Sequence, residues 1–384
     1  MSDLFHRPQL AARLATQVMQ AAAGSSASSG LFIAAPRRTG KSTFVREDLR
    51  PAFEAQGALV IYADLWANPT ADPGKVIITA LKSTLSSSEG ALRRLVKGLG
   101  LKEVKVGGSL SFDLDRLGLG DDASLSDALV ALSDEFKKMI VLIIDEAQHA
   151  ITTNAGIDTM FGLKAARDEL NSSRHFGLRI VCTGSNQAKL AMLRNNKDQA
   201  FFGAPMMNFP LLDQAFVAWF CQKVNLAAPL DPAVVWDLFV EAGYRPEIIG
   251  AAADQIRFDF ISDPATMPER FSEEVHKLTT EMNNVQRQVI KSLTPMQQAV
   301  LRVMAANGAD YAPFEANTIK KYAQAMASTG MPPEDIKVDM PNVQSALGAL
   351  QEKKLVWKAA RGVYDLEESG LKDILSADGL LKDL

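Results

Sequence analysis

The 384-residue chain has only two cysteines, Cys182 and Cys221. That excludes a disulfide scaffold and a cysteine-rich zinc site, and it predicts a reducing, cytoplasmic setting. Four scattered histidines supply no metal-binding spacing. Long apolar runs are also missing. The longest aliphatic stretch, residues 139–144, falls far short of the roughly 18 residues a membrane span needs. Charges stand in the first residues where a signal peptide would carry its apolar segment. Neither a membrane partner nor export is therefore expected. Positive charge is not in excess: 41 Lys and Arg face 45 Asp and Glu, for a net charge of −4. The chain as a whole lacks the basic footprint that drives nonspecific nucleic-acid binding, which leaves only local patches for that purpose. What remains is an ordinary globular composition, 47% hydrophobic and 22% charged, long enough for two or three domains.

Residues 1–210 alternate short apolar runs with helical patterns, the sequence form of an α/β domain with a buried parallel sheet. The runs at 31–34, 58–62 and 139–144 are apolar without a break, as strands covered on both faces should be, and 178–183 is apolar apart from Arg179 and Thr183. Helical stretches are predicted near 42–56, 74–97, 124–137 and 157–171. Residues 98–120 depart from this rhythm. Alternation around Gly107-Gly108 predicts a β-hairpin insertion. Residues 211–290 read as all helical. Residues 291–384 begin at Thr294-Pro295, a helix cap followed by proline at the first helical position. Two further helices and a strand pair around residues 355–366 follow, which is the order of a winged helix-turn-helix, with a short amphipathic tail after it.

The most specific signal is Ala35-Pro36-Arg37-Arg38-Thr39-Gly40-Lys41-Ser42, between the first strand and a helix. In that context the backbone N–H groups from Ala35 to Thr43, all but Pro36, can wrap a phosphate chain. Gly40 lets the backbone approach closely. Lys41 brings charge to the β- and γ-phosphates, and the Ser42 hydroxyl can ligate Mg2+. The run 139–144 leads directly into Asp145-Glu146. Asp145 is placed to order water on Mg2+, and Glu146 to polarise an attacking water as general base. The run 178–183 ends at Gly184-Ser185-Asn186, where either polar side chain can contact the γ-phosphate; turn chemistry also explains them. Asp64, at another strand end, is either a partner for Glu146 or a plain turn carboxylate. Arg245, in Gly243-Tyr244-Arg245-Pro246, opens a helix where a cation opposes the dipole, and a phosphate partner would account for it.

Taken in order, these elements resemble the AAA+ ATPases, in particular their archaeal-ATPase and origin-initiator branch, near the STAND group. Phe5-His6-Arg7-Pro8-Gln9-Leu10 is similar to that branch's N-terminal F-x-R-x-x-L segment. The loop, the strand-end Asp-Glu-Ala-Gln, the Gly-Ser-Asn and the Gly-Tyr-Arg-Pro follow in family order, to about residue 366. The resemblance implies an α/β AAA+ P-loop domain over 1–210, a helical lid over 211–290 and a winged-helix domain over 291–384. It implies ATP and Mg2+ as cofactors, slow or partner-stimulated hydrolysis, Arg7 near the adenine, Arg245 as a lid arginine, and assembly into a homo-oligomer. One departure stands out. Relatives often carry an arginine after the Phe-Gly pair, where this chain has Ala204 after Phe202-Gly203. Arg194 is the candidate substitute, with a solvated helix charge as the alternative, and Ala204 weakens the expectation of a site shared between subunits.

Two functions fit. In one, ATP controls duplex DNA binding through the winged helix, with Asn342, Gln344 and Ser345 toward bases and Lys353, Lys354, Lys358 and Arg361 toward phosphates. Residues 294–366 hold eight Lys or Arg against seven Asp or Glu, so only the clustering of those lysines favours DNA. In the other, a STAND-like switch controls a separately encoded effector protein.

Overall fold

The computed structural model describes residues 4–21, 25–68, 71–86, 125–172, 174–195, 199–259, 263–360, 362–367, 370–382 and 384. The expected hairpin at 98–120 and Arg361 lie outside them. Two compact units emerge, Met1–Pro210 and Leu211–Leu384.

The first unit is built on five parallel strands: β1 Leu31–Ala34, β2 Leu59–Asp64, β3 Ile140–Asp145, β4 Leu178–Gly184 and β5 Met206–Asn208. Their spatial order is β2-β3-β4-β1-β5. The unbroken apolar runs follow from two-sided burial. Ile140, Leu142 and Ile144 pack into one core with Phe32, Ile180 and the helices Pro73–Ser86, Leu125–Phe136 and Asn154–Leu170. The intervening Val141 and Ile143 pack into a second core with Ile33, Val181, Phe53 and the helix Pro8–Met19. Successive residues thus feed opposite layers, so no polar position interrupts the strand.

After β1 the chain turns at Gly40, with φ 81°, and enters a helix at Lys41–Phe44. That helix continues through a π turn, Val45–Leu49, into Arg50–Ala55. The chain then crosses to the far edge of the sheet, so β1 and β3 flank β4. This reversal is the switch point at which parallel sheets open a crevice beyond their strand ends.

The second unit opens with the helices Gln214–Lys223, Pro232–Glu241, Pro246–Arg257 and Met267–Lys291. Three more follow, Pro295–Asn307, Ala316–Ala327 and Met340–Glu352, then the antiparallel pair β6 Val356–Ala360 and β7 Val363–Leu366. Thr294 caps the first of the three with a reciprocal capping box to Gln297. Their shared core includes Val300, Leu301, Tyr322, Leu347, Leu350 and Leu375. Buried Arg302 crosses it. Its guanidinium donates to the carbonyls of Leu380 (2.7 Å) and Ala325 (2.8 Å) and to Ser328 Oγ (2.9 Å). Among the described residues no helix is long and apolar enough to cross a membrane.

Candidate functional site

The C-terminal ends of β1, β3 and β4 converge on one ammonium group. Lys41 Nζ donates to Asp145 Oδ1 at 2.7 Å, to Glu146 Oε1 at 2.7 Å and to Thr183 Oγ1 at 3.0 Å. Lys41 is 5% exposed and Asp145 1%. A buried charge pair survives only with good geometry and full hydrogen bonding, and this cluster has both. Thr183 bridges the gap left by β4 between the loop and β3, since its hydroxyl also donates to Asp145 Oδ1. Ser42 also helps to lower the pKa of the same carboxylate.

Burial pushes the Asp145 acid up, but the charge of Lys41 and the hydrogen bonds from Lys41, Thr183 and Ser42 outweigh it, leaving its pKa at about 2. Burial likewise raises Glu146, and is overcome by the charge and hydrogen bond of Lys41 and by bonds from Ser185 and Gln148. Glu146 is thereby kept ionised, as a proton acceptor must be. Its backbone sits at φ 55°, the left-handed region that a residue with a Cβ rarely adopts.

The loop itself is shaped to receive an anion. Pro36, Arg37 and Arg38 are exposed, while Thr39 is buried and ties the turn by donating to the Pro36 carbonyl at 2.8 Å. The helix that begins at Lys41 has no side-chain cap and no acidic residue in its first four residues. Its leading N–H groups, at Lys41, Ser42 and Thr43, are therefore available to phosphate oxygens. Ser42, at the start of the helix, and Asp145, at the end of β3, supply the oxygen ligands suited to Mg2+, which is commonly held by one or two protein oxygens plus phosphate and water. Among the described residues no cluster of three or more His, Cys, Asp or Glu offers an all-protein metal cage.

Other sequence-selected residues fall at varied places. Ser185 joins the cluster: its Oγ donates to Glu146 Oε2 at 2.7 Å, and Arg37 Nε lies 3.5 Å from it. Asn186 caps the next helix instead, accepting from Lys189 N at 2.8 Å. Arg7 lies over the Phe209 ring, 5.1 Å from its centroid, and donates to the Pro210 carbonyl at 2.7 Å. Its own N–H is held by Asp48 at 2.9 Å. Arg194 donates to the Ala204 carbonyl and to Asn195 Oδ1. Arg245 belongs to the second unit, where its guanidinium meets Met282 Sδ at 3.5 Å.

Of the two readings of Asp64, the turn carboxylate is the one that appears, and the link to Glu146 is corrected. In the sheet register Asp64 stands opposite Asp145, and like charges side by side repel. Asp64 turns to Arg46, 3.1 Å away, and to the N–H of Trp66, rather than to Glu146. Trp66 stacks on His149 at 4.7 Å and lies under Arg37 at 5.0 Å.

Sequence reasoning missed Thr183 and Tyr62. The Tyr62 hydroxyl donates to Asp145 Oδ2 at 2.9 Å, and Arg46 Nε donates to that hydroxyl at 3.0 Å. Thr183 left one clue, a lone hydroxyl at the end of an apolar run. Tyr62 left none, because its reach depends on register with β3.

No protein-family model and no curated protein sequence matches the chain. Among solved structures it is similar to the Aeropyrum pernix ORC2 protein in its ADP form, at 15% identity over 99% of this chain and 96% of that one, with a TM-score of 0.56. The Aeropyrum pernix ORC1 protein in complex with DNA aligns at 14% identity over 99% and 94% of the two chains, with a TM-score of 0.43. AMPPCP-bound DnaA from Aquifex aeolicus aligns at 13% over 99% and 97%, with a TM-score of 0.39. At these identities the likeness is one of fold, and the first of the three carries it.

Proposed function

The fold is that of the AAA+ ATPases, and on that premise we propose that the chain binds ATP with Mg2+ and hydrolyses it. The observation that carries the proposal is the placement of Lys41 Nζ within hydrogen-bond reach of both Asp145 and Glu146, at the mouth of an uncapped helix. The β- and γ-phosphates accept from the loop N–H groups and draw Lys41 toward them. That releases Glu146 Oε1, which takes the proton of a water as the water oxygen bonds to the γ-phosphorus. The bond to the bridging oxygen breaks, and ADP carries the electron pair away. Ser42 and Asp145 would hold Mg2+, which would neutralise charge on the phosphates. Arg7 is proposed beside the adenine, Ser185 and Asn186 near the γ-phosphate, and Arg194 and Arg245 as arginines acting on phosphate charge, Arg194 from a neighbouring subunit of a homo-oligomer.

The output proposed first is duplex DNA binding through a winged helix over residues 291–384. Lys353, Lys354 and Lys358 are exposed at the end of the Met340–Glu352 helix and on β6. One observation favours the second reading, in which this region binds an effector protein. Asp339 caps the Met340–Glu352 helix, and its carboxylate also accepts from the Asn342 amide at 3.1 Å. A carboxylate there repels phosphate and occupies a side chain that base reading would need.

Steady-state ATP hydrolysis with and without duplex DNA tests both levels. Turnover lost in Lys41→Ala and Glu146→Gln supports the chemistry, and unchanged turnover in either refutes it. Stimulation by DNA supports the first output. Turnover indifferent to DNA moves the reading to the effector.

A further inference from the structure

Glu146 is held by more than the residues assigned to ATP chemistry. Its Oε2 accepts from Gln148 Nε2 at 2.6 Å, and the same amide nitrogen lies 3.2 Å from Ser185 Oγ. Gln148 is 3% exposed. Its Oε1 is buried with no hydrogen-bond partner among the described residues. An unsatisfied buried acceptor is costly, so the orientation needs a reason. Turning the amide over would set Oε1 against the Glu146 carboxylate and discard both nitrogen contacts. The orphaned oxygen is therefore the cost of aiming the donor at Glu146.

That oxygen rests against Gly184, the last residue of β4. A Cβ at Gly184 would collide with Gln148 Oε1 and come within 3.3 Å of Gln148 Cδ. Gly184 is not among the positive-φ glycines, so the backbone itself tolerates a side chain there. What excludes one is the seat of the glutamine amide first, and Leu190 Cδ1, 3.1 Å from the added Cβ, second. Glu146, for its part, occupies the left-handed region, a costly backbone state that persists where surrounding contacts hold it.

We propose that Gln148 is a positioning residue that holds Glu146 Oε2 in place when Lys41 leaves Oε1 for the phosphates, and that Gly184 supplies the space in which it does so. This rests on the reading of Glu146 as general base. Ser185 alone does not fix the carboxylate, because its hydroxyl rotates and also faces Arg37. The amide is a rigid plane locked by burial.

The test uses the full chain with Gln148→Leu and Gly184→Ala. Gln148→Leu keeps a similar volume, removes the donor and removes the orphaned acceptor. Its melting temperature should hold or rise. Its kcat should fall about a hundredfold, as a displacement on the order of 1 Å in a reacting group can cause, while KM for ATP and ADP affinity stay within about twofold. Gly184→Ala should show the same split with no donor deleted. In a Glu146→Gln background, adding Gln148→Leu should change kcat no further, since both act through one group. A crystal structure of Gln148→Leu, read apart from turnover, should show the Glu146 carboxylate displaced. Unaltered kcat in Gln148→Leu, or an unmoved carboxylate, overturns the proposal. If the wild-type chain fails to hydrolyse ATP, the ATPase reading falls, and the carboxylate position still decides whether Gln148 orients Glu146.

Discussion

The phenol of Tyr62, on β2, donates a hydrogen bond to Asp145, on β3, at 2.9 Å. It takes the one carboxylate oxygen that Lys41 and Thr183 leave, so both oxygens of the proposed Mg2+-ordering residue are fixed from different elements. Burial, then the nearby Asp145 charge, raises the Tyr62 pKa, which keeps the phenol protonated and a donor. Tyr62→Phe should weaken Mg2+-dependent nucleotide binding roughly ten- to a hundredfold, the usual effect of losing an outer partner of a metal-site carboxylate. Titration of nucleotide with and without Mg2+ measures it, and an equal loss in both would assign Tyr62 to packing.

Lys41→Met should destabilise the first unit as well as abolish ATP binding. It leaves two carboxylates, one of them 1% exposed, without their cation. Removing one partner from such a cluster costs about 3–5 kcal/mol. Adding Asp145→Asn and Glu146→Gln should recover most of that loss in urea denaturation, though none of the activity.

Acid should find the same cluster. Asp145 is held at about 2 in the folded chain against an ordinary 3.8. A depressed folded pKa contributes stability that is fully present above the unfolded value and is lost as pH falls through the folded one. Wild-type stability should therefore decline between pH 3.8 and about 2, and Asp145→Asn should show a shallower decline over that window. Equal slopes would mean that the cluster does not hold in solution.

DNA binding should depend on salt through a small set of lysines. Replacing Lys353 and Lys354 by alanine should lower affinity for any duplex about equally and reduce the salt slope by about one unit per lysine. Fluorescence anisotropy at several salt concentrations reads this. Binding that survives the substitutions with the same slope points to another surface.

The parts of the fold that were legible in the sequence are those where one local pattern has one explanation. Residues 31–34 are a continuous apolar run and 178–183 an apolar run broken only by Arg179 and Thr183, and β1 and β4 appear there with at most one residue's difference. The loop and Asp145-Glu146 needed only their neighbours in sequence to be found. The strand β5 is three residues long and half exposed, so no apolar run announced it. Tyr62 and Thr183 act across strands, and their roles exist only once β2, β3 and β4 are in register. Asp64 shows the reverse failure. Its place at a strand end suggested a link to Glu146, but the register set it beside Asp145, and Arg46 drew it away.

Arg302 makes the last described turns of the chain a matter of charge as well as of packing. Its Nε finds its acceptor in the Leu380 carbonyl, 78 residues along. Anyone shortening the protein to obtain a smaller fragment would, by cutting before Leu380, strand part of a buried cation inside the three-helix core. A cut after that residue keeps the acceptor, which makes Leu380 a practical limit for trimming.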